Sequence, residues 1–546
     1  SLSLAQDEQV TVIGSLIKGT PIDTGSPIST FNAEEVASQN NLNIVELIKM
    51  VPGSSGMDGE ANQFGSNASE GIANVNLRGL GTNRTLVLVN GKRQVTVPIA
   101  TGAGRSVNLN DLPMSALSRI EILKEGAAAT YGSDAIAGVV NFITDSTFEG
   151  LRVNFGAKGI SGAEQDGNEF SITYGTALND GTNFLLSLGA QKKGELRAEN
   201  TEYVRRSYKE NGVGGWSSFG NPGTFVFKLD DGDATTEAPT GYVGDPGCNA
   251  SGGYAQLLSK TSKVEHKNAA GDVVNTTDMG GYHTLCRYQY AYFDNVQEEQ
   301  TNSQLWMEFN GDVNGEHDFH VEFSYGKTNV PNYATSPSYP PNNPTATVVP
   351  NYHPGLQALY TQHPAFATLL KGTAFGGDGN TQRAAHAMFA RPFATAGNPN
   401  GASNGAENEF RKYDVYRFAF DFEGSLTDGI EYSTGLNYSQ SEGNYTFSDT
   451  QQNKYNSSLW GYGGPNCPYE MTALSATGVP TMTHKVTGVN ATLSATPPAG
   501  CGYLNIFSNA FEQGNQAFYD NKNPFTGDNQ RGTSIKDKVG KNPHYL

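Results

Sequence analysis

The sequence predicts a small α+β domain followed by the strands of an antiparallel transmembrane β-barrel. Three observations predict it: helix-capping signals mixed with short apolar strands before residue 145, two-residue alternation after residue 150, and links between the later strands that alternate between short and very long. No stretch approaches the roughly 20 apolar residues of a helical membrane span, and 37% of the 546 residues are hydrophobic. The 65 glycines, 26 tyrosines and 27 phenylalanines suit many short strands with aromatic edges and irregular loops.

The chain opens on SLSLAQDEQ, whose Ser3 and Ala5 resemble the small residues that precede secretory cleavage, here near Gln6, so export is expected. Glu8 to Gly14 is a short β-prone segment, and the polar run from there to Pro27 reads as a tether occupying residues 1–30. Asn32 with Glu35 and Asn43 with Glu46 fit capping boxes, while Ile44, Val45, Leu47, Ile48 and Val51 form an apolar helix face stopped by Pro52 and Gly53. Thr85 to Val89 is a buried-strand candidate, and Asn90-Gly91 is a two-residue hairpin turn with Lys92 to Val97 returning. Ile120 to Leu123 and Val139 to Ile143 add strands, completing a domain at 31–147 with polar, glycine-rich loops at 54–72 and 97–110.

Here the residues match a family. NVNLRGLGTNRTLVLVNGKRQ at 74–94 and LSRIEILKEGAAATYGSDAIAGVVNFIT at 117–144 closely resemble the plug of TonB-dependent outer-membrane receptors, with the NIVELIKMVPG helix ahead of them. The resemblance spans residues 8 to 150. It implies a TonB box before the plug, and Asp7, Glu8, Gln9, Val10, Thr11 and Val12 fit that box by position and composition. It also implies that plug charges sit against the barrel wall, so Arg78, Gly79, Asn90, Gly91, Arg119 and Glu121 are the plug-motif residues, packing or release elements rather than ligands. Read without the family, Arg78 and Gly79 are a turn and its anchor, and Arg119 and Glu121 are exposed partners on one strand.

Beyond the plug, at 148–546, Leu151 to Ala157 alternate apolar residues with Arg152, Asn154 and Gly156, as a wall between lipid and a polar lumen requires. The pattern recurs at 168–176, 183–191, 303–310, 318–325, 416–423 and 430–439. The links at 178–182, 311–316 and 425–429 are tight; those at 193–302, 326–412 and beyond 440 are long, which is the periplasmic-turn and extracellular-loop asymmetry of outer-membrane barrels. A plugged transporter of this class has about 22 strands, so the chain is expected to hold only the N-terminal part of its barrel.

The formal charge of -18 and the lack of a basic run exclude nucleic acid as a partner. Cys248, Cys286, Cys467 and Cys501 lack C-x-x-C spacing and read as two loop-closing disulfides, with Cys248–Cys286 and Cys467–Cys501 as candidate pairs and connectivity left open. His317 and His320 point to opposite faces of one strand and cannot share an ion, and Asp230, Asp231 and Asp233 lack the full calcium-loop pattern, so neither metal nor cofactor is expected. No catalytic motif or acid/base pair is present, so a non-enzyme is expected. Gln63, Phe64 and Asn67 in the plug loop, with Trp460 and Tyr462, are the ligand-contact candidates. The expected function is TonB-coupled import of a scarce or large ligand, either siderophore-iron or oligosaccharide, across an outer membrane whose lipid surrounds the wall. The alternative is a surface binding or adhesion protein of the same form that transports nothing.

Overall fold

The computed structural model describes residues 28–32, 53–54, 71–98, 105–112, 114–124, 128–159, 166–179, 181–202, 206–212, 215–228, 236–237, 240–258, 263–279, 281–338, 347–371, 385–394, 406–427, 429–446 and 450–510. The chain divides into two units: 1–200 with 295–333 and 409–446, and 201–294 with 334–408 and 447–546. The TonB-box segment, the two capping-box helices, the plug-loop candidates Gln63, Phe64 and Asn67, and Asp230, Asp231 and Asp233 lie outside the described residues.

The first unit contains two sheets. Strands β1 (Ile28–Asn32), β2 (Thr85–Val89), β3 (Lys92–Arg93), β4 (Leu117–Leu123) and β5 (Gly138–Thr144) form one, in the order β1-β4-β5-β2-β3. Both of its faces are covered, one by Val87, Ile120, Ile122, Val140 and Phe142, the other by Leu86, Leu88, Leu123 and Val139. Double burial explains why TLVLV shows no alternation. β1 starts at Ile28, so the sheet takes up the chain before the tether boundary expected at residue 30. The hairpin return is only Lys92–Arg93, shorter than the run to Val97 that the sequence predicts.

The second sheet is a seven-stranded meander: β6 (Gly150–Gly159), β7 (Asp166–Asn179), β8 (Thr182–Lys193), β9 (Gln300–Val313), β10 (His317–Thr335), β11 (Glu407–Thr427) and β12 (Ile430–Tyr445), each beside the next. These are the seven strands that alternation predicts. One face presents Leu151, Val153, Phe155, Phe170, Leu188, Phe418 and Leu436 outward, and the other holds Thr173, Ser187, Trp306, Glu308, Glu322 and Arg417 buried. An apolar exposed face and a polar buried one invert the arrangement of a water-soluble sheet, as a lipid-facing wall requires. β11 runs longer than the 416–423 seen in sequence because buried polar pairs break the pattern: Arg411 Nη2 bonds Glu409 Oε2 at 2.8 Å, both side chains buried.

The second unit, built from the long inter-strand segments, has its own core of Phe225, Val243, Val349, Leu356, Leu359, Phe366, Met388, Tyr455, Leu459 and Phe507. Helices Pro354–Gln362 and Gln452–Leu459 supply part of it. Two disulfides, Cys248–Cys286 and Cys467–Cys501, tie it together.

Candidate functional site

The five-stranded domain and the wall lie in the same unit and meet along a seam that carries polar contacts. Asn108 Nδ2 donates to Thr328 Oγ1 at 3.0 Å, Ser115 and Ser187 hydroxyls meet at 2.8 Å, Arg152 and Thr173 donate to Ser115 O, and Lys92 pairs with Asp421. Gly326 allows the closest approach, since a Cβ there would overlap that of Asp111. Burial, followed by the nearby Asp414 charge, holds the Asp111 carboxyl well above its ordinary range. Leu185 and Trp306 join the domain's apolar cluster and Tyr413 packs with Ile72 and Val97; the other contacts named here are hydrogen bonds and ion pairs. Such a seam releases into water at lower cost than an apolar core, because water replaces its bonds.

The predicted plug-motif residues fall in three places. Arg78 (φ 59) and Gly79 (φ 66) make a left-handed turn, and Arg78 Nη2 donates to Ile136 O and Ala137 O, both at 3.1 Å, so this pair anchors the domain to itself and not to the wall. Arg119 and Glu121 pair at 2.9 Å, but on a covered face: their side chains are 16% and 4% exposed, against the exposed pair that alternation suggests. Thr30 and Asn32 of β1 stand directly opposite Glu121 and Arg119 and flank their side chains. Burial raises the Glu121 carboxyl above its usual range, with the Arg119 hydrogen bond and charge opposing. Asn90 (φ 47) and Gly91 (φ 76) form the predicted turn, and Asn90 reaches the wall, donating from Nδ2 to Glu322 Oε1 at 2.7 Å.

Sequence reasoning missed the wall side of this contact: Glu308, Glu322, His320 and Arg417, with Thr144 of β5. The signal was available as register arithmetic. A tight turn that sets Val313 opposite His317 sets Glu308 opposite Glu322, two carboxylates on the polar face. Trp460 and Tyr462, read as ligand contacts, are each 4% exposed within the core of the second unit, and Trp460 Nε1 donates to Val348 O at 3.0 Å. Their rings are spent on packing, the alternative role open to any loop aromatic.

Residues 20–139 match the family model described as TonB-dependent Receptor Plug Domain. Residues 20–139 are thus a TonB-dependent receptor plug domain. The chain is 35% identical over 147 residues to the "Vitamin B12 transporter BtuB" of Vibrio vulnificus, covering 27% of this chain and 22% of that protein. It is 34% identical over 120 residues to the "Iron-regulated outer membrane virulence protein" of Vibrio cholerae, covering 21% and 17%. Among solved structures, a mutant of the ferric enterobactin receptor PfeA of Pseudomonas aeruginosa aligns at 15% identity and a TM-score of 0.33, covering 84% of this chain and 53% of that one. The siderophore receptor PirA of Acinetobacter baumannii aligns at 14% and 0.33, covering 78% and 49%. The aligned part of the chain thus spans about a fifth of these curated relatives, 22% and 17%, and about half of the solved chains, 53% and 49%.

Proposed function

We propose that the receptor binds a scarce or bulky ligand outside the cell and imports it into the periplasm with energy delivered by TonB. The observation that carries this reading is the plug match over residues 20–139, with DEQVTV at 7–12 ahead of it. In this reading residues 1–27 are the tether, the plug extends to about residue 147, and 148–546 supply wall strands and long extracellular segments within outer-membrane lipid. TonB adds a strand to Asp7–Val12, so main-chain hydrogen bonds transmit the pull to the tether. The chemistry is mechanical, and no bond in the ligand is broken.

Siderophore-iron is the first ligand class to test. A curated relative named for vitamin B12 transport supports a metal chelate as the class, whereas the burial of Trp460 and Tyr462 removes the ring-stacking support for oligosaccharide. Gln63, Phe64 and Asn67 remain the proposed contacts at the plug apex. The test is uptake by cells carrying the full-length protein, wild type against Val10→Pro, with labelled ferric siderophores, cobalamin and oligosaccharides. Loss of uptake with retained surface binding supports TonB-coupled import and identifies the ligand class. Uptake indifferent to the proline overturns the assignment of the box, and binding without any uptake favours an adhesin of the same form.

A further inference from the structure

Glu308 and Glu322 are direct cross-strand partners on β9 and β10, and both are fully buried. Like charges directly opposite one another destabilise a sheet, and burial magnifies the repulsion, so this pair stands only if donors surround it. The wall supplies some: Arg417 bonds Glu322, Trp306 Nε1 donates to Glu308 Oε2 at 2.9 Å, and His320 lies 2.7 Å from Glu322 and 3.7 Å from Glu308. Asn310 Nδ2, also of the wall, donates to Glu308 Oε1 at 3.1 Å, and the plug adds two more donors. Thr144 Oγ1 donates to Glu308 Oε2 at 2.6 Å and Asn90 Nδ2 to Glu322 Oε1 at 2.7 Å, while Asn90 Oδ1 accepts from Thr144 N at 3.0 Å.

The same turn is held from behind. Gly91 N donates to Asn141 Oδ1 at 3.0 Å, Asn141 stands directly opposite Glu121 in the β4–β5 pair, and Glu121 pairs with Arg119. Directly opposite Glu121 and Arg119 stand Thr30 and Asn32 of β1, an edge strand paired on one side only and the first described residues after the tether. Removing β1 would open the Arg119–Glu121 pair to water beside Asn141.

We propose that the Asn90–Gly91 turn is the release pin of the plug, joining edge strand β1, through Arg119, Glu121 and Asn141, to the Glu308–Glu322 carboxylate seat on the wall. Asn90 is in these terms a positioning residue. Detaching β1 weakens the grip on the seat, and emptying the seat weakens β1 by the same factor, because coupling between two sites is reciprocal. This deepens the import reading and rests on it for its purpose, but its test needs neither TonB nor ligand.

The experiment is native-state hydrogen exchange on the full-length protein in outer-membrane vesicles. Phe31→Ala loosens β1, whose Phe31 packs on the plug core. Asn90→Gly with Thr144→Val empties the seat while keeping a residue that tolerates positive φ in the turn. Each is expected to raise exchange about tenfold at its own strand and several-fold at the other, over 28–32 and 85–93, with β6–β8 unchanged as a report of an intact wall. Combining them should raise exchange by less than the product of the separate effects. Thr144→Val alone is the milder variant should the double change unfold the plug. Effects confined to each variant's own strand, or effects that multiply fully, would overturn the proposal. Failed ligand uptake by wild-type cells would instead overturn the import reading and leave this result standing.

Discussion

The chain builds two sheets from similar residues and buries them in opposite senses. In the plug, β2 is buried at all five positions, and Val140 and Phe142 of β5 are inaccessible. In the wall, Leu151, Val153 and Phe155 of β6 stand 63%, 54% and 74% exposed, while Glu308, Glu322 and Arg417 are buried. The contrast shows that burial pattern reports the solvent as much as the fold: a sheet that shows Leu and Phe outward and hides glutamate inward is built for hydrocarbon outside and a polar filling inside. The seam's polarity follows from the same inversion, since the plug meets the wall's polar face.

Substitutions can break or sharpen this comparison. Phe142→Ala, within the plug core, should cost about 3–5 kcal/mol, seen as lost protection of 85–89 and 138–144. Phe155→Lys separates the two kinds of surface: it should cost about 2–4 kcal/mol if that face meets the bilayer midplane, measured by folding into lipid vesicles. A change within about 0.5 kcal/mol, as at a watery surface, would refute the lipid-facing wall. Replacing Cys467 and Cys501 together by serine should cost about 2–4 kcal/mol and raise exchange across 450–510 without touching the plug.

A smaller effect follows from His353. Burial pushes its imidazole down to about 3, with Nδ1 accepting from Gly355 N and Nε2 beside Leu504 O. The folded value lies below the unfolded one near 6.5, so the unfolded chain binds the extra proton. The stability is present above pH 6.5 and is lost as pH falls towards 3, by about 1 kcal/mol at pH 5.5. His353→Asn, which keeps a capping acceptor, should flatten that slope in acid-denaturation curves of the second unit. Least of all, Val486→Ser, at 86% exposure, should shift stability within about 0.5 kcal/mol.

Much of this was legible in the chain. The Asn90-Gly91 turn, the seven wall strands and the plug strands were readable because each rests on local chemistry: positive φ at two adjacent residues, or one apolar face repeating every second position. β1 was not, because a short polar edge strand looks like the tether it continues. The buried Arg119–Glu121 pair was not, because a covering strand 90 residues away in sequence determines its exposure. Trp460 and Tyr462 were misplaced because an aromatic residue in a long loop carries no mark of whether it faces ligand or its own core.

The sequence by itself determined the plug and wall, their strands and which wall face is apolar, since these follow from periodicity and turn chemistry within a few residues. Only the tertiary structure decided which polar groups meet. Glu308, Glu322, Arg417, Asn90 and Thr144 lie far apart along the chain and look like ordinary solvated side chains until packing removes their water and leaves them each other as partners.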